Sequence, residues 1–301
     1  MSALKRNRMA VLVFLAPAVI LVGLLVFFPV LLNIYYSLFK WTAYSADMKF
    51  VGLKYYQKLF SDPKIALSIK NNVMYAVVSL IFQTGLGLII AHLFVTFANT
   101  KYAAITRVVI FIPAVISLTA IGLLWVIAYN PSLGFVNAIL EAVGLGRFAH
   151  DWLGDANTAM MSIIMVSQWQ YIGEMVMLYT VGLQAVPTDI YEAATIDGAS
   201  NWQTFLHVTV PMIRSTILMN MTITIIGAFM VFDEVYVMTS GGPGGATETL
   251  ATLMYETGFR KDNMGYASAI GVLLFLITFA FSFIQMRLYN VNEMMGRSKE
   301  S

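Results

Sequence analysis

The chain has 301 residues, of which 59% are hydrophobic and only 11% charged, with a net charge of +2 and no cysteine. Soluble domains are about a quarter charged, whereas here the apolar residues gather into runs of roughly 20, the length that crosses a ~30 Å hydrocarbon core. These figures exclude a soluble globular domain, a disulfide framework, thiolate metal sites and cysteine nucleophiles, and the dispersed charge offers no basic run for nucleic acid.

The apolar runs predict an all-α polytopic membrane protein with six spans, at about 11–32, 73–95, 108–129, 158–180, 216–238 and 267–288. A cytoplasmic segment at 1–10 precedes them and a cytoplasmic tail at 289–301 follows. The first run starts after Lys5, Arg6 and Arg8, is longer than a signal-peptide core and lacks a small-x-small cleavage site, so it is expected to stay as an anchor. Pro17, Pro29 and Pro113 fall within or at the ends of spans, where neighbouring helices can satisfy the carbonyls they free. Lys and Arg divide nine to nine between the two sides. The first segment, with three cations and no acid, therefore sets the orientation: both termini cytoplasmic, in the cell inner membrane.

In the first external loop, 41–72, Tyr55 to Phe60 and Asp62-Pro63 predict two short amphipathic helices, the second begun by the proline. The loops 130–157 and 239–265 are also external. The latter opens with Gly241-Gly242-Pro243-Gly244-Gly245, a turn sequence without regular structure.

Between the fourth and fifth spans, 185–214 is a cytoplasmic segment rich in small residues. Pro187-Thr188-Asp189 predicts a helix start with Asp189 as N-cap and Glu192 closing a capping box. Ala193 and Ala194 favour helix and permit close packing, and Gly198 supplies a left-handed residue to end it. Ser200 or Asn201 can cap a second helix, and Pro211 suits the first turn of, or a bend into, the fifth span.

Polar groups at membrane depth are costly and mark candidate pathways. On the fourth span Ser167, Gln170 and Glu174 recur at helical spacing with Tyr171 beside them. On the fifth, Asn220, Thr224, Gly227 and Glu234 form a stripe flanked by Phe229 and Phe232. Amides and carboxylates hydrogen-bond sugar hydroxyls and aromatic faces stack on sugar rings, which makes Gln170, Tyr171, Glu174, Asn220, Thr224, Phe229, Asp233 and Glu234 candidates for a substrate path. The same groups can instead hold helices together. Asp233 and Glu234, near the external end, suit a structural or gating role equally. Gln83 reads as helix glue, His92 as interfacial, and Trp125, Trp152 and Trp169 as belt or packing residues. The many methionines have no His or Asp cluster beside them, so no metal site is expected.

Glu192, Ala193, Ala194, Gly198, Val208, Val210 and Pro211 together carry the spacing Glu-Ala-Ala, three residues, Gly, nine residues, aliphatic, one residue, aliphatic-Pro. This resembles the motif of permease subunits of binding-protein-dependent ABC importers. Val208 and Val210 stand where that family more often has Ile and Leu, a small change in volume. Phe50-Val51-Gly52-Leu53 with Tyr55-Tyr56, Tyr236 to Pro243 with Thr247 to Leu250, and Met264 to Ala269 are similar to its carbohydrate-uptake branch. The resemblance implies that Glu192, Ala193, Ala194, Asp197, Gly198 and Pro211 form a coupling helix seated in an ATPase subunit. It also implies a second, related but different permease chain, two ATPase subunits and an extracytoplasmic solute-binding protein as partners. No Gly-x-x-x-x-Gly-Lys-Ser/Thr loop occurs, so ATP and Mg belong to another chain, this one has no cofactor, and three scattered His with no Cys offer no catalytic constellation. The expected function is half of the translocation path of an ATP-driven importer of a sugar or related polyol. The alternatives are glycerol-phosphate-like solutes on the same scaffold, or an ion-coupled secondary transporter using Glu174, Asp233 and Glu234.

Overall fold

The computed structural model describes residues 2–45, 47–97 and 101–297. Met1, and 298–301 of the expected tail with Lys299, lie outside the described residues. The structure is mostly helical, with several apolar helices. Among the described residues four stretches are long and apolar enough to cross a bilayer: Val13–Tyr36, Pro63–Thr96, Arg214–Met238 and Met264–Arg287.

The chain forms two compact units, the first made of Met1–Asp62 with Leu253–Phe275. Helix α1 (Ser2–Val22) passes through a wider π stretch, Gly23–Phe27, into α2 (Phe28–Tyr36). Pro29 has no N–H and its ring crowds the carbonyl four residues back, at Leu25, so the extra residue per turn at 23–27 absorbs the clash without a break. A two-residue antiparallel pair, β1 (Phe39–Lys40) with β2 (Lys49–Phe50), leads into the amphipathic α3 (Lys54–Ser61). Side chains lock this unit: Ser37 Oγ and the Tyr56 hydroxyl lie 2.6 Å apart, Tyr266 donates to Asp62 at 2.8 Å, and Asn33 donates to the Ser268 carbonyl at 3.2 Å. Tyr55 donates to Asn263 at 3.2 Å, and burial raises its phenol above the ordinary value.

The second unit holds Pro63–Thr252 with Leu276–Ser301. Pro63 does not begin a separate short helix, as the sequence suggests, but opens α4 (Pro63–Ser79), which runs through a π stretch, Leu80–Leu86, into α5 (Gly87–Thr96). Proline at a helix start forfeits only an N–H that has no intrahelical partner, so nothing stops the helix there.

The expected third span is broken. Helices α6 (Lys101–Val115) and α7 (Leu118–Ala128) meet at 99°, because Pro113 removes a hydrogen bond in the last turn of α6 and Ser117 turns to an extended conformation. The loop that follows carries α8 (Phe135–Ala142), where Trp152 donates to Asn137 at 2.7 Å.

Helix α9 (Ala159–Gln184) has 26 residues, about 39 Å of rise, yet is too polar to pass as lipid-facing. Burial resolves the conflict. Ser162, Ser167, Gln168, Gln170 and Thr180 are all inside, and Gln168 accepts from Gln83 at 3.0 Å while donating to Ser79 at 3.1 Å. Helix α9 packs against α5, α6 and α13, and Gly173 allows the α6 backbone to pass directly over it.

The fifth apolar run is also interrupted. Helix α13 (Arg214–Met230) stops, Val231 and Phe232 leave helical geometry, and α14 (Asp233–Met238) begins afresh. The second half of the expected loop 239–265 is mainly helical, with α15 (Leu250–Tyr255) continued by a π stretch, Glu256–Arg260, before α16 (Met264–Arg297).

Candidate translocation cavity and coupling segment

The break between α13 and α14 builds the site. Ending α13 at Met230 strips the carbonyls of Ala228 and Phe229 of their helical partners, and both accept from Asn72 Nδ2, at 2.8 and 3.2 Å. The Asn72 carbonyl in turn accepts the free N–H of Leu250, the first residue of α15, at 3.0 Å, and Thr249 donates to the Val231 carbonyl at 2.9 Å. Asn71 holds the carbonyls of Ala246 and Glu248, and Lys64 lies 3.5 Å from the Glu248 carboxylate. The Gly-Pro turn sequence is thereby a folded knot rather than an irregular loop.

Below this knot lies a cavity of about 290 Å³. Ser79, Gln83 and Tyr75 line one wall, Ser167, Tyr171 and Glu174 a second, and Thr224, Gly227, Phe232, Asp233 and Glu234 a third. Among the sequence candidates, Tyr171, Glu174, Thr224, Asp233 and Glu234 therefore come together. Gln170 does not join them: it is buried and directed toward the α6–α7 break, 3.5 Å from the Ile116 carbonyl. Phe229 packs against Phe281, with ring centroids 5.5 Å apart. Asn220 lies fully buried near Tyr179 and Thr84, and its amide makes no well-formed hydrogen bond among the described residues. The cavity face of α9 is thus 167, 171 and 174, one helical step away from Gln170. Tyr75, which sequence reading passed over because it sits in an ordinary apolar run, reaches across to Glu234 at 3.4 Å. Gln83 both lines the cavity and ties α9 to its neighbour, as its expected role as helix glue requires.

At the other end of α9, the segment 185–214 folds as α10 (Thr188–Ile196), α11 (Asn201–Thr204), a π stretch, Phe205–Thr209, and α12 (Val210–Met212). The expected capping box at Asp189 and Glu192 does not form. Pro187, extended at ψ 137°, is the N-cap, so α10 starts two residues early and Glu192 falls beyond reach of the cap. The box occurs instead at the next helix, where Ser200 and Gln203 bond reciprocally. Glu192, Ala193, Ile196 and Asp197 are exposed while Ala194 is buried. Val186, Ile213 and Tyr191 seat the segment on a core of Ala91, Phe94, Val176, Tyr179 and Leu183, and the rings of His92 and Phe205 meet at a tilt with centroids 4.6 Å apart. Pro211 follows its π stretch by two residues, as Pro29 does in the first unit.

Gly198 closes α10 with φ +75°, while Ala199 N–H bonds back to the Ala194 carbonyl and Gly198 N–H to that of Thr195. An added Cβ would meet nothing there, so the cost of Gly198→Ala is conformational alone. It is expected to destabilise this turn by about 1–2 kcal/mol without displacing any neighbour. Proteolysis of the detergent-solubilised protein at 197–200 should accelerate accordingly, and an unchanged cleavage rate would contradict the strained-turn assignment.

Residues 83–290 match the profile of the binding-protein-dependent transport system inner membrane component. The chain is 43% identical over 288 residues, 96% of its length and 98% of the relative's, to the probable ABC transporter permease protein YurN of Bacillus subtilis. It is 31% identical to the trehalose/maltose transport system permease protein MalF of Thermococcus litoralis, covering 90% of each chain. A solved bacterial ABC transporter involved in import of the acidic polysaccharide alginate has a chain of the same fold, with TM-score 0.80 and 21% identity over 95% of this chain and 96% of that one. The protein belongs to the family of permease subunits of binding-protein-dependent ABC importers, multi-pass components of the inner membrane. Such subunits are non-catalytic, and ATP hydrolysis resides in a separate chain.

Proposed function

We propose that this chain forms half of the translocation path of an ATP-driven importer of a sugar or related polyol, with α9 as a buried fourth span that completes a set of six, and both termini cytoplasmic. In this reading α10 is the coupling helix. Glu192, Ala193, Asp197 and Gly198 meet the ATPase subunit, Ala194 and Pro211 fix the helix beneath the membrane, and a second, related permease chain and an extracytoplasmic binding protein complete the importer. The ATPase subunits carry ATP and Mg.

The observation that carries this reading is the exposure of Glu192. It caps nothing, yet it stands on a helix whose opposite face is seated on the core that reaches α5 and α9. Movement of α10 is therefore passed to α9, whose other half lines the cavity. Sugar-transport relatives, and a cavity mixing hydroxyls, an amide, carboxylates and aromatic faces, support the substrate class.

Glu192→Ala is expected to leave the melting temperature unchanged and to reduce ATP hydrolysis at least about tenfold in proteoliposomes holding the complex purified through this chain, the loss of a charge-assisted contact. Full ATPase activity in that variant would remove α10 from the coupling role. Uptake by vesicles lacking any ATPase subunit would instead favour the ion-coupled alternative.

A further inference from the structure

The cavity wall carries three carboxylates, Glu174, Asp233 and Glu234, and among the described residues its lining contains no Lys, Arg or His. Glu174 and Asp233 are exposed to the cavity, and Glu234 is buried with the Tyr75 hydroxyl 3.4 Å away. A low-dielectric chamber that gathers three acids without a cation concentrates positively charged solutes and repels anions. Ser167 points to a ligand independently. Its hydroxyl is fully buried in the wall beside that of Tyr75, which it can engage, and forms no well-shaped hydrogen bond among the described residues, so hydrogen-bonding capacity remains for an occupant. Phe232, stacked on Tyr236 at 5.1 Å, and Tyr171 supply flat apolar faces beside these polar groups.

Resting on the reading of this cavity as the path, we propose that it is a site for an amine-bearing sugar or polyol and discriminates against uronates and phosphorylated sugars. The ammonium group is held among Glu174, Asp233 and Glu234, hydroxyls are met by Ser79, Ser167 and Thr224, and the ring face lies on Phe232 or Tyr171. A glycerol-phosphate-like solute is the charge class this wall disfavours most.

The absence of cysteine permits a direct test. Gly227 lines the cavity with open space around an added Cβ, so Gly227→Cys, with Ile223→Cys as a second position, introduces one reporter into the full complex in proteoliposomes. Rates of modification by a trimethylammonium and by a sulfonate methanethiosulfonate, each normalised to a free thiol, are expected to favour the ammonium reagent at least about tenfold. In the Glu174→Gln, Asp233→Asn background that preference should shrink to about threefold or less. At equal concentrations glucosamine should slow modification more than glucose, and glucuronate least. Equal rates for the two reagents, or protection by glucuronate matching that by glucosamine, would overturn the amine assignment while leaving the path intact. Failure of both reagents to reach either cysteine, with or without ATP and vanadate, would overturn the path itself and the amine site with it.

Discussion

Asn72→Leu is expected to abolish most folded protein. One buried amide satisfies two carbonyls at the end of α13 and the first N–H of α15, and leucine fills the same volume while leaving all three groups without partners. Each buried unsatisfied group costs about 1–3 kcal/mol, so the sum reaches roughly 3–9 kcal/mol, with a fall in melting temperature of about 10 °C or more. Asn72→Asp keeps an acceptor for Leu250 but points a second one at the two carbonyls, and should be no better. Fluorescence-detected thermal unfolding of the solubilised protein measures this. A leucine variant within a degree or two of wild type would mean that water or backbone movement replaces the amide.

The second large effect is expected at Gly173. A Cβ there would collide with the Ile110 carbonyl oxygen and stand 3.0 Å from the Phe111 Cα, both backbone atoms that no rotamer change can move. To accept even alanine, α6 must withdraw from α9 by about an ångström, which sacrifices contacts along the whole crossing. Overpacking of this kind costs about 1–3 kcal/mol, and an unyielding neighbour places Gly173→Ala at the upper end. Gly227→Ala is the matched control, since its Cβ meets nothing and alanine favours a helix by about 0.5–1 kcal/mol over glycine. The two variants should shift the melting temperature in opposite directions, and equal shifts would contradict the close crossing.

What the sequence made legible follows from what a bilayer demands. Uniform apolar runs had to be helices, and helices cover them, although the helix over the second run already begins at Pro63 rather than near 73; the Glu-Ala-Ala spacing marked the segment that folds as α10 to α12. The interruptions could not be read. Ile116-Ser117 and Val231-Phe232 lie inside apolar text, and the groups that stabilise them, Gln170, Asn72 and Thr249, come from elsewhere in the chain. The capping box failed for a local reason: both Pro187 and Asp189 could open α10, and the proline, with its fixed φ, did so first. The cavity was half legible. Spacing on α9 and α13 identified Tyr171, Glu174, Thr224 and the acids, but rotation about the helix axis decided that Gln170, Asn220 and Phe229 face elsewhere, and Tyr75 had no polar context to announce it.

The interruption at Val231 and Phe232 also bears on how force divides within this unit. A hinge needs soft bonds, and this joint has spent its own: the carbonyls of Ala228, Phe229 and Val231 are each held by a side chain from Asn72 or Thr249. The end of α13, the acids of α14 and the knot above them therefore move as one stiff lever. Under the coupling role proposed for α10, a displacement of that helix would reach the carboxylates as rotation of a rigid arm rather than as bending within it.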